Sequence, residues 1–434
     1  MKGREAGEIA YSRLGHCARR GASVITRLMS EKLARPEMLS LAAGFTDNRV
    51  LPVALVRRAA ERLERDPARA HLQYGMNRGR PGLRREVVNL LRSYPGEESL
   101  DLDAEQVLVT NGSQQGLYLM VQMLCDPGDI VLVESPSYFV FLELLQGLGV
   151  QALSIPCDGA GRIRFPAFRE QLEELRANGR LASVRLLYLM GAFANPSTRC
   201  LEEEDKRELA AVVQSLGHRV PVIEDMAYRE LYFEGPCPAR SMLAMPDWDG
   251  YPVVYAGTFT KPFATGLKVG FLASRDAELL GTLAKIKGHQ DFGTAHFNQA
   301  IIEEVLRAGE YHGHLSSLRS HYRGKRDLLE TALREHGLAD AGWIWDQPAG
   351  GLLLWARGPA GTDTRIESAF HRACLEQEIL YVPGDLCFAE GTPCNSVRLS
   401  FGAIESELIP EAARRFCAAA RKAADLQSRS VRMP

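Results

Sequence analysis

No uninterrupted apolar run in this chain approaches the roughly 20 residues that a membrane-spanning helix needs. The N-terminus, with Lys2, Arg4, Glu5 and Glu8, has no apolar signal-peptide core. An excess of either charge is missing too: 52 Lys and Arg stand against 54 Asp and Glu, so nucleic acid and anionic membranes have no electrostatic footprint to bind. The basic residues near the start, Arg13, Arg19 and Arg20, alternate with apolar ones and read as a solvated helix face. Nine cysteines are scattered from Cys17 to Cys417 without a CxxC pair or a Cys/His cluster at metal spacing, and an odd count argues against a disulfide framework. Internal repeats and low-complexity segments are absent as well. These absences lead us to expect a soluble, unprocessed cytoplasmic protein with no metal, no nucleic acid and no membrane among its partners.

What is present is an ordinary globular composition, 46% hydrophobic and 24% charged over 434 residues, enough for one large domain and a smaller one. From about Gln106 to Gly270 short β-branched runs alternate with helical patterns, the signature of a parallel sheet with helices on its faces. The expected strands are 106–110, 130–134, 150–155, 184–188, 220–224, 253–257 and 268–273, with helical patterns at 114–124, 202–216 and 277–288. A long helical stretch over roughly 310–336 follows, then isolated strands at 351–355, 379–382 and 396–401 flanked by helices. The expected architecture is therefore α/β: a large domain over 70–320, and a small α+β domain formed by 1–69 and 321–434.

The chemistry gathers at the strand ends, where open α/β sheets place ligands. Lys261 follows the apolar strand Val253 to Gly257, with Thr258 and Thr260 before it and Lys268 after it. Burial disfavours the charged ammonium and frees the amine as a nucleophile, and the hydroxyls and second cation suit a phosphate beside it. At Gly112 and Ser113 a strand passes through a glycine into a helix, whose free N–H groups favour an anion. Asp225 closes another buried strand and needs a cationic partner such as a protonated pyridine nitrogen. Tyr138 could stack on a flat ring, Asn195 before Pro196 could bond a phenolate oxygen, and Arg398 in an apolar strand wants a carboxylate. Each segment also has a plainer reading: a solvent-reaching lysine, an N-cap by Ser113, a turn cap by Asp225, packing by Tyr138, an Asn-Pro turn, an internal salt bridge for Arg398.

Taken together and in order, the segments resemble fold type I pyridoxal-phosphate enzymes, specifically class I/II aminotransferases of the 2-aminoadipate, kynurenine and aromatic type. The resemblance runs through Leu41 to Gly44, Leu72 to Gly75, Gly79, Arg84, Gly112 to Gln115, Ser135 to Tyr138, Asn195-Pro196, Asp225 to Tyr228, Thr258 to Lys261, Gly350-Gly351, Pro383-Gly384 and Arg398 to Ser400. It implies that Lys261 carries pyridoxal 5′-phosphate as a Schiff base and shuttles the proton between Cα and C4′. It implies that Asp225 pairs with the pyridine nitrogen, that Asn195 and Tyr228 hold the ring oxygen, and that Tyr138 stacks on the ring. Ser113, Gln114, Thr258, Thr260 and Lys268 would hold the phosphate, and Arg398, helped by backbone at Gly44, the substrate α-carboxylate. Tyr74 would reach the phosphate of a neighbouring subunit, which implies a homodimer with shared sites.

The implied activity is transfer of an amino group from an L-amino acid to a 2-oxo acid such as 2-oxoglutarate, in ping-pong fashion. Arg27 falls where aminoadipate-type relatives hold a distal carboxylate. Four positions depart from the family pattern: Lys268 stands in place of arginine, Gly191 and Thr198 in place of proline and glycine, and Thr265 in place of proline. Pyridoxal-phosphate β-elimination or decarboxylation, and a non-catalytic cofactor-binding regulator, are the alternative readings.

Overall fold

The computed structural model describes residues 9–19, 30–32, 34, 35, 37–158 and 161–431. In chain order its strands are β1 (Leu39–Ser40), β2 (Val107–Asn111), β3 (Ile130–Val133), β4 (Gln151–Ser154), β5 (Val184–Met190), β6 (Val222–Asp225), β7 (Val253–Thr258), β8 (Val269–Ala273), β9 (Ile344–Trp345), β10 (Leu353–Arg357), β11 (Ile379–Leu380), β12 (Val382–Pro383) and β13 (Ser396–Ser400). Seven of them form one sheet in the order β2-β8-β7-β6-β5-β3-β4. The strands β3 to β7 are parallel to one another, and the near-continuous apolar runs of the inner ones are what a sheet covered on both faces requires. Helices at Gly112–Leu124, Phe139–Leu148, Phe165–Ala177, Glu203–Gln214 and Ala277–Asp291 supply the covering layers. The strands and helices expected for this sheet are all present, with ends shifted by a few residues.

One strand runs against the rest. β8 is antiparallel to both β2 and β7, pairing Asn111 with Val269 and Thr258 with Gly270. Its reversed direction brings the residues that precede it, including Lys268, to the same edge at which β2 and β7 end. Gly270 is fixed there by space, because a Cβ would come within 2.5 Å of the Gly112 carbonyl carbon and 2.6 Å of the Ser113 nitrogen. The strand-to-helix turn at Gly112 therefore lies directly on β8.

A second, antiparallel sheet has the order β12-β13-β10-β9. The single strand expected over 379–382 is split: Ile379–Leu380 pairs in parallel with Leu39–Ser40, whereas Val382–Pro383 pairs with β13. The chain changes partner at Tyr381, whose buried hydroxyl donates to the Thr364 carbonyl at 2.6 Å. The strand expected over 351–355 starts two residues later, because Gly351 has φ +79° and Gly350 packs against Phe193 and the Leu231 carbonyl. No helix among the described residues is long and apolar enough to cross a membrane.

Candidate active site

The ends of β2, β5, β6 and β7, the start of β8 and the strand β13 surround a cavity of about 230 Å³. Twelve of the residues singled out in the sequence line it: Gly44, Ser113, Gln114, Tyr138, Asn195, Asp225, Tyr228, Thr258, Thr260, Lys261, Lys268 and Arg398. Two do not. Tyr74 stands outside the cavity, 81% exposed, with its ring against Phe292 at 5.8 Å. Arg27 lies outside the described residues.

Lys261 Nζ donates to the Gly44 carbonyl at 2.5 Å, so the plainer reading of a lysine reaching into solvent is set aside. Burial, then the positive charges of Arg398 and Lys268, lower its pKa to about 8. Asp225 sits at the end of β6 with one carboxylate oxygen accepting from the Ala227 N–H at 3.0 Å and the other from the Tyr188 hydroxyl at 3.0 Å. Burial raises its pKa to about 6 against those two hydrogen bonds. It does cap the turn that follows, yet it has no cationic partner among the described residues, which leaves a buried carboxylate short of the counter-charge its position calls for.

Arg398 is buried on β13 without a carboxylate partner among the described residues, contrary to the internal salt bridge its strand also allowed. Its two terminal nitrogens donate to Asn195 Oδ1 at 3.2 Å and to the Ala42 carbonyl at 2.7 Å, and its Nε is buried with no partner. Burial lowers its pKa. Such a guanidinium, still able to donate and facing a cavity, is built to receive an anion. Tyr228 is buried beside it, and burial lifts its phenol to about 12. Asn111, not Ser113, precedes the helix Gly112–Leu124 at its N-cap, and no side chain satisfies the first turn. Free N–H groups there, the Ser113 hydroxyl, and Thr258 and Thr260, which bond each other at 2.8 Å, line the same cavity as Lys268.

Two of the four departures from the family pattern, Gly191 and Thr265, have local reasons. A Cβ at Gly191 would lie 2.4 Å from Met226 Sδ and 2.8 Å from Glu224 Oε1, so side chains at and just past the end of β6 fill the room that a larger residue would take. Thr265 Oγ1 donates to the Thr260 carbonyl at 3.2 Å and lies 2.7 Å from Thr46 Oγ1, tying the lysine loop to the segment that carries Gly44. A proline there would have no hydroxyl to make that tie. Thr198, in place of glycine, keeps the left-handed backbone at φ +62°. Tyr188 was missed in the sequence. Its role depends on β5 lying beside β6, and only its position near a strand end hinted at it.

The family model for aminotransferase class I and II matches residues 36–416, and the chain belongs to that family. It is 32% identical over 395 residues to the 2-aminoadipate transaminase of Thermus thermophilus, covering 91% of this chain and 92% of the relative. Among solved structures it resembles the kynurenine aminotransferase of Pyrococcus horikoshii, solved in complex with PMP, with TM-score 0.83 and 26% identity over 93% of this chain and 96% of that one. It also resembles the alpha-aminoadipate aminotransferase of Thermus thermophilus, complexed with N-(5′-phosphopyridoxyl)-L-leucine, with TM-score 0.80 and 30% identity over 95% and 98%. The protein is thus an aminotransferase of the pyridoxal-phosphate fold type I, an enzyme that moves amino groups between amino acids and 2-oxo acids.

The residues present fit that cofactor. A buried carboxylate without a cation among the described residues, a lysine whose pKa is lowered, and a helix N-terminus with hydroxyls and a cation beside it answer to a pyridine nitrogen, an aldehyde and a phosphate.

Proposed function

We propose that the enzyme takes its amino group from an L-amino acid and delivers it to 2-oxoglutarate at the cavity built around Lys261. The observation that carries this reading is the convergence of three groups on one cavity: a lysine with a lowered pKa, a buried unpaired carboxylate and a buried arginine with donors to spare. Bound pyridoxal phosphate supplies an electron sink for the bond broken at the substrate Cα and carries the amino group between the two halves of the reaction. The rest is work for this chain. Arg398 grips the α-carboxylate and orients the Cα–H bond, and Lys261 Nζ takes and returns the proton at that carbon. Asp225 keeps a proton on the pyridine nitrogen, oriented by Tyr188. Asn195 and Tyr228 hold the ring oxygen and Tyr138 covers the ring face. Ser113, Gln114, Thr258, Thr260 and Lys268 hold the phosphate.

The test is the visible absorbance of the holoenzyme titrated with glutamate, aminoadipate, aromatic and branched-chain L-amino acids. Conversion to the pyridoxamine form, reversed by 2-oxoglutarate, is the expected result, and Lys261→Ala should abolish both the lysine-bound band and multiple turnover. An absorbance unmoved by every donor would sink the assignment. By resemblance, Arg27 holds a distal substrate carboxylate, so Arg27→Ala should lower kcat/KM for acidic donors more than for neutral ones. An unchanged ratio counts against it.

The same proposal extends to the whole chain: a large domain over 70–320, a small one over 1–69 and 321–434, a homodimer with shared sites, and a cytoplasmic location. The pairing of Leu39–Ser40 with Ile379–Leu380 supports grouping the two termini. The helix Val53–Glu64 bridges the parts, with Arg62 reaching Glu304 at 3.5 Å and Glu310 at 2.9 Å. For the dimer, the support is an exposed apolar group, Leu72, Tyr74, Met76 and Phe292, on two abutting loops.

A further inference from the structure

A second cavity, of about 500 Å³, adjoins the first, and no residue lines both. They share walls. Ser135 and Pro136 face the second cavity while Tyr138, two residues on, faces the first; Thr198 and Arg199 face the second while Asn195 faces the first. On the side of the smaller sheet, Trp355 faces the second cavity and is paired across β10 and β13 with Arg398, which faces the first.

The chemistry of this second cavity is distinct. Trp355 and Phe388 meet at 6.3 Å with their planes inclined at 50°, forming an aromatic corner, and Trp345 adds a second indole. Two half-buried guanidinium groups, Arg199 and Arg357, line the same space. The carboxylates that face it, Asp158 and Asp346, are exposed, and Asp158 is engaged by Arg162. The cations are thus the less solvated charges, and a volume of this size is that of a small-molecule site. Indole faces stack planar rings, and arginine forks take carboxylates.

We infer that this cavity is a second ligand site, for an aromatic monocarboxylate, separate from the reacting centre. Its ligand lies against the strained side of the Asn195 loop, where Phe193 and Thr198 hold φ values of +46° and +62° that bulky or β-branched residues rarely adopt. Asn195 accepts a hydrogen bond from Arg398 at 3.2 Å, so the loop that the ligand would press also positions the group that receives the substrate. Binding at the two cavities is therefore coupled, and the coupling is reciprocal.

The test is calorimetric titration of the holoenzyme with indole-3-acetate, with and without saturating 2-oxoglutarate. One binding event per chain should persist with 2-oxoglutarate present. Arg199→Gln and Trp355→Leu should each weaken it by about tenfold or more, as loss of a bidentate or stacked contact does. Both variants should keep the amino-acid-driven conversion of the cofactor absorbance, which separates this inference from the proposed activity. Should Trp355→Leu not fold, Arg199→Gln alone decides. Full displacement of the probe by 2-oxoglutarate, unchanged affinity in Arg199→Gln, or no binding up to about 10 mM probe would each overturn the inference.

Discussion

At the scale of single residues, the site works by withholding water and counter-charge from groups that would otherwise be ordinary. Lys261 is the clearest case. Its usual pKa of 10.5 is lowered to about 8 by burial and by the charges of Arg398 and Lys268, so the neutral amine becomes abundant in a range where a solvated lysine is almost wholly charged. The consequence is measurable in the cofactor-free protein. A depressed pKa means the reactive form grows as pH rises, about tenfold per unit below the pKa, and levels off above it. The rate of reconstitution with pyridoxal 5′-phosphate should rise steeply to about pH 8 and then flatten. A rate that keeps rising towards pH 10 would mean that Lys261 is not held as described. Asp225 shows the opposite shift for the same reason, since burial without a cation raises its pKa to about 6.

At the scale of elements, the substrate side of the cavity has an anchor outside the site. The segment that carries Gly44 and Phe45 is tied to the helix Glu310–Glu335 through Asp47, whose carboxylate accepts from Lys325 Nζ at 3.0 Å and His321 Nε2 at 3.0 Å. Burial works against the charge on Asp47, but hydrogen bonds from Arg49 and the Lys325 ammonium outweigh it and hold the carboxyl well below its usual range. A depressed folded-state pKa gives stability that is fully present above the unfolded value near 4 and is lost as pH falls below it. Lys325 is only 1% exposed, so Asp47→Ala strands a buried ammonium and should cost about 3–5 kcal/mol in urea unfolding at neutral pH. Arg49→Ala, which removes an exposed partner, should cost far less. Equal losses would show that Lys325 is not the group at stake. None of this anchor was legible in the sequence, because Asp47 and Lys325 are 278 residues apart. Local pattern reached further with the strands: short apolar runs located β3 to β7 to within about two residues at each end. It failed at 379–382, where one apolar run serves two sheets, since pairing partners are set by tertiary contact and not by the run itself. Ser113, Asp225 and Lys261 stood out in the sequence because each closes or closely follows an apolar strand. Tyr188 did not, because its partner Asp225 is chosen by strand order.

At the scale of the whole molecule, the loops around Tyr74 and Phe292 present an apolar surface that calls for a cover. Leu72, Tyr74, Met76 and Phe292 are 70%, 81%, 61% and 68% exposed, and side chains of this kind do not cluster on a free surface without a partner. A second copy of the chain is the proposed cover, and Tyr74, which misses its own cavity, then belongs to the neighbour's. Mixing two inactive chains separates this from a purely structural role. If Tyr74 serves the neighbouring site, a hybrid of a Lys261→Ala chain and a Tyr74→Ala chain has one site with both defects and one with neither. Half the dimers in an equal random mixture are hybrids, so activity should return to about a quarter of the wild-type value per site. If Tyr74 acts within its own chain, every site in every hybrid keeps one defect and mixing restores nothing. If Tyr74→Ala alone remains active, Tyr74 holds no part of the cofactor's site and the patch is an adhesive surface only. Sedimentation of each parent chain as a dimer is the control, because an exchange that never occurs would leave the mixture silent whichever arrangement holds.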